Sequence, residues 1–241
     1  MHGKYLVAVC DILGFSALVQ SQPLDLVVKD ALGWFSSALN HSIHRGNFPA
    51  SPPPIRELDG HKHVGIAWFS DTILVYTKED SDEAVADLLT SVAWLLFETI
   101  VEGTTKVRAG ISYGDAFIDR ANSLYVGEPI IEAYRLQERQ QWAGAALTPT
   151  ACARVPKTGS PGEHARWYVT PWNVPMKDHE PMATLAVNWN RGIHAPSWRL
   201  RWSVTSDLPP EPNSVEEQSL YEKYLNTKHF HEAHCHDCKG T

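Results

Sequence analysis

Apolar residues change their spacing several times along this chain, and each change marks an expected element. Tyr5 to Cys10 form an unbroken apolar run that stops at Asp11, the pattern of a buried strand. From Ser16 to about Asn40, Leu18, Val19, Leu24, Val27, Val28, Leu32, Trp34, Phe35 and Leu39 recur at helical spacing, and Pro23 predicts a break into two pieces. A Pro- and Gly-rich loop, HRGNFPASPPPIRELDGHK, follows. HVGIAWF and TILVYT then read as two strands separated only by Ser70 and Asp71, which is hairpin spacing. Asp80 to Glu83 open a helix running to about Glu102, with acidic residues at its positive end. KVRAGISYG predicts a strand, with AFID beyond Gly114 as a candidate antiparallel partner. GEPIIEAYRLQERQQW reads as an amphipathic helix entered through Gly127-Glu128-Pro129, and GAALTP as a short closing strand.

That order predicts an α+β fold: a ferredoxin-like βαββαβ sheet with an added hairpin and helices on one face. Beyond Thr150 the pattern shifts to tryptophan-rich, β-like pieces, RWYVTPW, ATLAVNW and WRLRWSV, which recur at no fixed period. They read as a β-rich appendage. A polar stretch, SDLPPEPNS, precedes a helix expected from Val215 to Asn226, and the remainder is rich in histidine and cysteine. The expected organisation is a catalytic domain over 1–150, an extension over 151–226 and a tail over 227–241.

Composition narrows the function classes. With 241 residues, 43% hydrophobic and 20% charged, the chain suits one generous globular domain. A net charge of −7 without a Lys/Arg block argues against nucleic-acid binding. The apolar run SVAWLLFETIV is broken by Glu98 and too short to span a membrane. Tyr5 to Cys10 is too short for the core of a signal peptide. Cys10 sits in a strand and Cys152 is isolated, so no disulfide framework is expected. The expectation is a cytoplasmic protein without membrane attachment.

Candidate chemistry starts at Asp11, a carboxylate where a buried strand leaves the core. Burying it without a cation is costly, although an N-cap role is equally open to an aspartate before a helix. Asp71 occupies the tip of the hairpin expected beside that strand. Two carboxylates aimed at one point suit a hard divalent cation, which prefers oxygen ligands. The turn Ile12-Leu13-Gly14-Phe15 leads into a helix and offers N–H groups to phosphates. Gly14 permits close approach of the backbone, and Phe15 is expected to pack behind the loop. Arg108, inside a strand, reads as a brace. At the other end of the chain, His231, His234, Cys235, His236 and Cys238 offer a candidate tetrahedral Zn²⁺ set.

CDILGFSALV, WFSDTILVYT, VRAGISYGDAF and YVGEPIIEAYRLQE together resemble, in order and spacing, the motifs of class III nucleotidyl cyclases, over roughly Lys4 to Pro149. The resemblance implies that Asp11, Asp71 and the backbone carbonyl of Ile12 hold two Mn²⁺ or Mg²⁺ ions. It also implies that Arg135 stabilises the transition state from the other subunit of a homodimer, and that the substrate is a nucleoside triphosphate. Three positions depart from the adenylate cyclase pattern. Ala67 stands where the base-reading lysine would be, Leu124 replaces the base-reading aspartate, and Ile131 replaces the ribose-positioning asparagine. A site tuned to adenine does not survive loss of both polar readers, and a cyclase acting on purines through a remodelled pocket is an enzymatic alternative. The chain is most similar in this respect to the cyclases of Pycsar anti-phage systems, which make cyclic UMP or cyclic CMP. That similarity implies UTP as substrate, with CTP the alternative, and a separate effector that responds to the product. A catalytically inactive nucleotide sensor is the non-enzymatic alternative.

Overall fold

A computed structural model describes residues 1–44, 61–102, 106–177, 180–191 and 214–234. Most of the Pro-rich loop, the WRLRWSV piece, almost all of SDLPPEPNS, and Cys235, His236 and Cys238 lie outside the described residues.

Strand β1 (His2–Ile12) lies at the centre of the molecule, hydrogen-bonded on both edges. Its neighbours are β3 (Thr72–Thr77), which pairs in turn with β2 (Val64–Phe69), and β4 (Val107–Asp119). With β6 (Gly144–Leu147), β7 (Val169–Val174) and β8 (Met182–Val187), the sheet runs β2-β3-β1-β4-β6-β8-β7, and β5 (Leu124–Gly127) pairs separately with β4. Only β4 and β6 run parallel among these pairings.

Alternation along β1 sends side chains to two cores. Leu6, Ala8, Cys10 and Ile12 join the larger cluster, which includes α2 (Gly33–His44) and the apolar face of α3 (Asp82–Phe97). Tyr5, Val7 and Val9 join a smaller cluster with Ala133 of α4 (Glu128–Arg139). Helices therefore cover both faces of the sheet rather than the one expected. The reason is contained in β1 itself, because a strand apolar at every position needs cover on both sides. Gly110 makes the second cover feasible. A Cβ there would sit 2.1 Å from the Ala133 carbonyl oxygen, so only glycine lets α4 lie this close to β4.

Local chemistry sets most element ends. Helix α1 (Phe15–Ser21) stops before Pro23, as expected, and the helical chain resumes at Leu24. Ser81 caps α3, its Oγ accepting the Ala84 N–H at 3.2 Å, with Asp82 and Glu83 in the first turn. Strand β4 does not break at Gly114. AFID continues it, and Leu124–Gly127 is the antiparallel partner instead. The reversal falls at residues 119–123, where Asp119 accepts hydrogen bonds from Asn122 and Ser123 adopts a φ of 53°. Asp and Asn favour such turns more than an isolated glycine does.

The tryptophan-rich stretch extends this same sheet. β7 (Val169–Val174) and β8 (Met182–Val187) pair with each other, and β8 meets β6 at Ala146 and Ala186. Two short helices, α5 (Pro149–Arg154) and α6 (Gly159–Trp167), lead into them. The final helix, α7 (Val215–His234), runs past Asn226 into the histidine-rich segment. It is anchored by Phe230, whose ring meets Trp142 at 5.0 Å and Trp172 at 5.2 Å. His231 stacks on Trp189 with an interplanar angle of 7°, and its Nδ1 lies 2.6 Å from Asn190 Oδ1. Among the described residues no cluster of three metal-ligating side chains occurs.

Two predictions follow from this packing. Gly110→Ala should lower the unfolding free energy by about 2 kcal/mol or more, since backbone rather than a flexible side chain must move; urea denaturation measures this. Burial holds the His231 imidazole down at about 4, so the unfolded chain takes up its proton first as pH falls. Its stabilisation is complete above about pH 6.5 and drains away between 6.5 and 4, by at most about 3 kcal/mol. Urea titrations across that window should show a shallower slope in His231→Gln than in the wild type.

Candidate active site

The C-terminal end of β1 places Asp11 between two neighbours. It lies opposite Thr72 on β3 and opposite Arg108 on β4. One residue further, the Ile12 N–H donates to the Asp71 carbonyl oxygen at 3.1 Å, fixing the β2–β3 turn beside the strand end. Ser70 takes the left-handed conformation that this two-residue turn demands, with a φ of 55°. The Trp68 indole N–H donates to the Ser70 carbonyl at 2.6 Å and holds the turn in place. Both aspartates are partly exposed, and the charge of Asp71 acts on Asp11.

Arg108 is the nearest compensation. Its side chain is 6% exposed, and its Nη2 donates to Asp11 Oδ2 at 3.0 Å. Nη1 donates to the Gln140 carbonyl at 2.8 Å, while Nε has no acceptor among the described residues. Burial is the largest influence on both partners. It raises the Asp11 carboxyl above the usual carboxylate range, Arg108 opposing and Asp71 reinforcing the rise. It also lowers Arg108, with Asp11 opposing. The attraction within the pair thus falls short of what desolvation takes away. A cation seated between Asp11 and Asp71 would replace their repulsion with attraction, and this all-oxygen donor set fits Mg²⁺ or Mn²⁺. The adjacent Cys10 thiol faces the other core, and burial pushes it up to about 12, so it is no nucleophile.

The loop after β1 turns through a left-handed glycine. Gly14 adopts a φ of 79°, and no atom lies within 4 Å of where its Cβ would be. The glycine thus serves backbone conformation rather than packing. Leu13 donates its N–H to the Lys106 carbonyl at 2.9 Å, and Leu13 and Phe15 both pack on the larger core.

Arg135 is exposed on α4, one residue before buried Leu136, and makes no ion pair or hydrogen bond among the described residues. No contact joins it to Asp11 or Asp71 of its own chain. Ile131 and Tyr134 beside it are also exposed. Ala67 is partly buried on β2, against the smaller core. Leu124 shares one face of the β4–β5 hairpin with Phe117 and Val126, and all three are exposed. Two further residues belong to this region. Arg108, expected as a brace, is the ion-pair partner of Asp11. Lys223 on α7 is close enough for its charge to act on Asp11. The register of β1 against β4 would have exposed the first; nothing in the local sequence marks the second.

No protein-family model matches the chain, nor does any curated protein. Solved structures do. The catalytic core of a rhodopsin-guanylyl cyclase with converted specificity, in complex with ATPαS, is similar over 78% of this chain and 97% of its own, with a TM-score of 0.53 and 12% identity. A bacterial light-regulated adenylyl cyclase is similar over 91% of this chain and 58% of its own, with a TM-score of 0.50 and 14% identity. The chain has the class III nucleotide cyclase fold. On that fold, Asp11 and Asp71 share one strand end with Arg108. No helix among the described residues is long and apolar enough to cross a membrane.

If the carboxylate pair holds a divalent ion, Mn²⁺ at about a hundred times its dissociation constant should stabilise the fold by about 2.7 kcal/mol. Thermal unfolding should show that gain in the wild type and its loss in Asp11→Asn and Asp71→Asn.

Proposed function

We propose that the protein is a nucleotidyl cyclase that converts UTP to 3′,5′-cyclic UMP and pyrophosphate, working as a homodimer with shared sites. The observation that carries this reading is the Asp11–Asp71 carboxylate pair, set beside Arg108 and the Gly14 turn on a cyclase fold. Bound there, Mn²⁺ or Mg²⁺ would acidify the ribose 3′-hydroxyl and neutralise phosphate charge. The chain's own residues orient the rest. The Gly14 turn lets phosphate oxygens approach main-chain N–H groups, and Arg108 supplies fixed positive charge at the phosphates. The 3′-oxygen attacks the α-phosphorus in line, forming one P–O bond while the bond to pyrophosphate breaks. Arg135 of the second subunit faces the charge growing on the α-phosphoryl group, where a preorganised cation accelerates transfer by orders of magnitude.

Two features support the finer parts of the reading. Ala67, Leu124 and Ile131 offer no polar atom beyond the main chain where a purine edge or ribose would need one, which favours the smaller pyrimidine. CTP remains the alternative to UTP. The exposed apolar face of Phe117, Leu124 and Val126 favours a second copy as its cover, and Arg135 makes no ion pair or hydrogen bond among the described residues. A cyclic pyrimidine nucleotide would act as an antiviral signal through a separate effector. Ile131 favours one further reading, a nucleotide sensor without turnover.

Incubation with ATP, GTP, CTP and UTP in turn, each with Mn²⁺, and mass spectrometry of the products separates these readings. Cyclic UMP is expected; folded protein that yields no cyclic nucleotide would make it a sensor. Asp71→Ala should abolish product formation. Each site of the dimer draws its aspartates from one chain and its arginine from the other. Mixing Asp71→Ala with Arg135→Ala chains should therefore restore about a quarter of wild-type activity, while either alone stays inactive. Failure to complement would place both groups in one chain.

A further inference from the structure

Helix α7 lies outside the stretch whose sequence motifs resemble a cyclase, yet it is fastened to the segment that holds Arg108. The Gln140 carbonyl accepts from Arg108, and the next residue bonds to α7. Gln141 Nε2 donates to the Ser219 carbonyl at 3.1 Å, to Ser219 Oγ at 3.2 Å and to Glu222 Oε2 at 3.3 Å. Asn226 Nδ2 donates to the Gln141 carbonyl at 2.7 Å, and the Ala143 N–H donates to Thr227 Oγ1 at 2.8 Å. Ser219 and Thr227 flank Lys223 by one helical turn on each side, so Lys223 shares the face they turn toward this segment.

The charge balance there is unusual. The Lys223 ammonium is half-buried and feels the like charges of Arg108 and Lys177 together with the opposite charge of Asp11. It makes no ion pair or hydrogen bond among the described residues. Asp11 is already bonded to Arg108, whose Nε also lacks an acceptor among those residues. Asp71 and Glu138 add negative charge around Asp11 and Arg108, so the group left to take an anion is Lys223 itself, half-buried and unpaired among those residues. Because it adjoins a carboxylate pair suited to divalent metal, the fitting anion is a phosphate chain.

We propose that Lys223 binds the pyrophosphate end of the nucleoside triphosphate, so that α7 completes the phosphate pocket from the same protomer that supplies Asp11. The proposal rests on the cyclase reading. A lysine suits this end of the substrate, since a rotatable ammonium can follow the phosphate chain without fixing its plane. Burial and the neighbouring like charges already hold Lys223 below the usual lysine range, a strain that a bound anion relieves.

The test compares wild type with Lys223→Met, which keeps the buried stem, and with Lys223→Arg. Lys228→Met controls for general charge loss, because Lys228 pairs with Glu232 one turn further along α7. Pyrophosphate with Mn²⁺ is titrated calorimetrically, and KM and kcat are measured with whichever triphosphate the wild type cyclises. Lys223→Met should weaken pyrophosphate binding and raise KM, each about tenfold, with a smaller effect on kcat. Lys223→Arg should recover most of the loss, and Lys228→Met should behave as wild type. Wild-type pyrophosphate affinity in a folded Lys223→Met protein would overturn the proposal even if the wild type cyclises. Loss of pyrophosphate binding in a protein that cyclises none of the four triphosphates would uphold the anion site while removing the cyclase reading.

Discussion

β1 is paired along both edges and packed on both faces, and its register positions Asp11, Asp71 and Arg108. Asp11 meets Arg108 because eleven successive residue pairs, from His2–Phe117 to Ile12–Val107, align β1 with β4. Asp71 meets Ile12 because the same strand is aligned with β3. A slip of one residue would send Asp11 into the larger core and Cys10 toward the smaller one. The slip would also exchange Leu6, Ala8 and Cys10 with Tyr5, Val7 and Val9 between two packed cores that each fit one set of volumes. Packing of the core and placement of the carboxylates are therefore one constraint.

Within that constraint, the site accepts an unfavourable arrangement. A buried ion pair with incomplete compensation contributes little stability compared with an apolar pair of similar volume. Asp11 and Arg108 are held in place by the surrounding sheet, by the Gln140 carbonyl and by the anchored α7 rather than by their own attraction. For the cyclase proposed above, such preorganisation would spare the reorganisation that solvent requires when charge develops in a transition state.

The local parts of this arrangement were legible in the sequence. The unbroken run to Cys10, the two-residue gap at Ser70-Asp71 and the Gly127-Glu128-Pro129 helix entrance each carry their signal within a few residues. Both aspartates could be singled out because a charge at the end of an apolar run needs an explanation. What escaped depends on long-range placement. Arg108 reads as a brace until strand register sets it against Asp11. Lys223 is 212 positions from Asp11, as the difference 223 − 11 shows, in a helix with no amphipathic signature of its own. The turn after β4 was misplaced because Gly114 offers a familiar breaker, whereas Asp119 and Asn122 make the reversal through side-chain hydrogen bonds.

The anchoring of α7 by Phe230 also bears on how the protein matures. α7 is synthesised after everything it fastens, and Phe230 sits against the rings of Trp142, Trp172 and Trp189. A ribosome-bound chain therefore lacks Lys223 and the support of α7 until those residues have been made. A chain cut before Val215 would lack both Phe230 and Lys223, and with them the hydrogen bonds that α7 makes to Gln141.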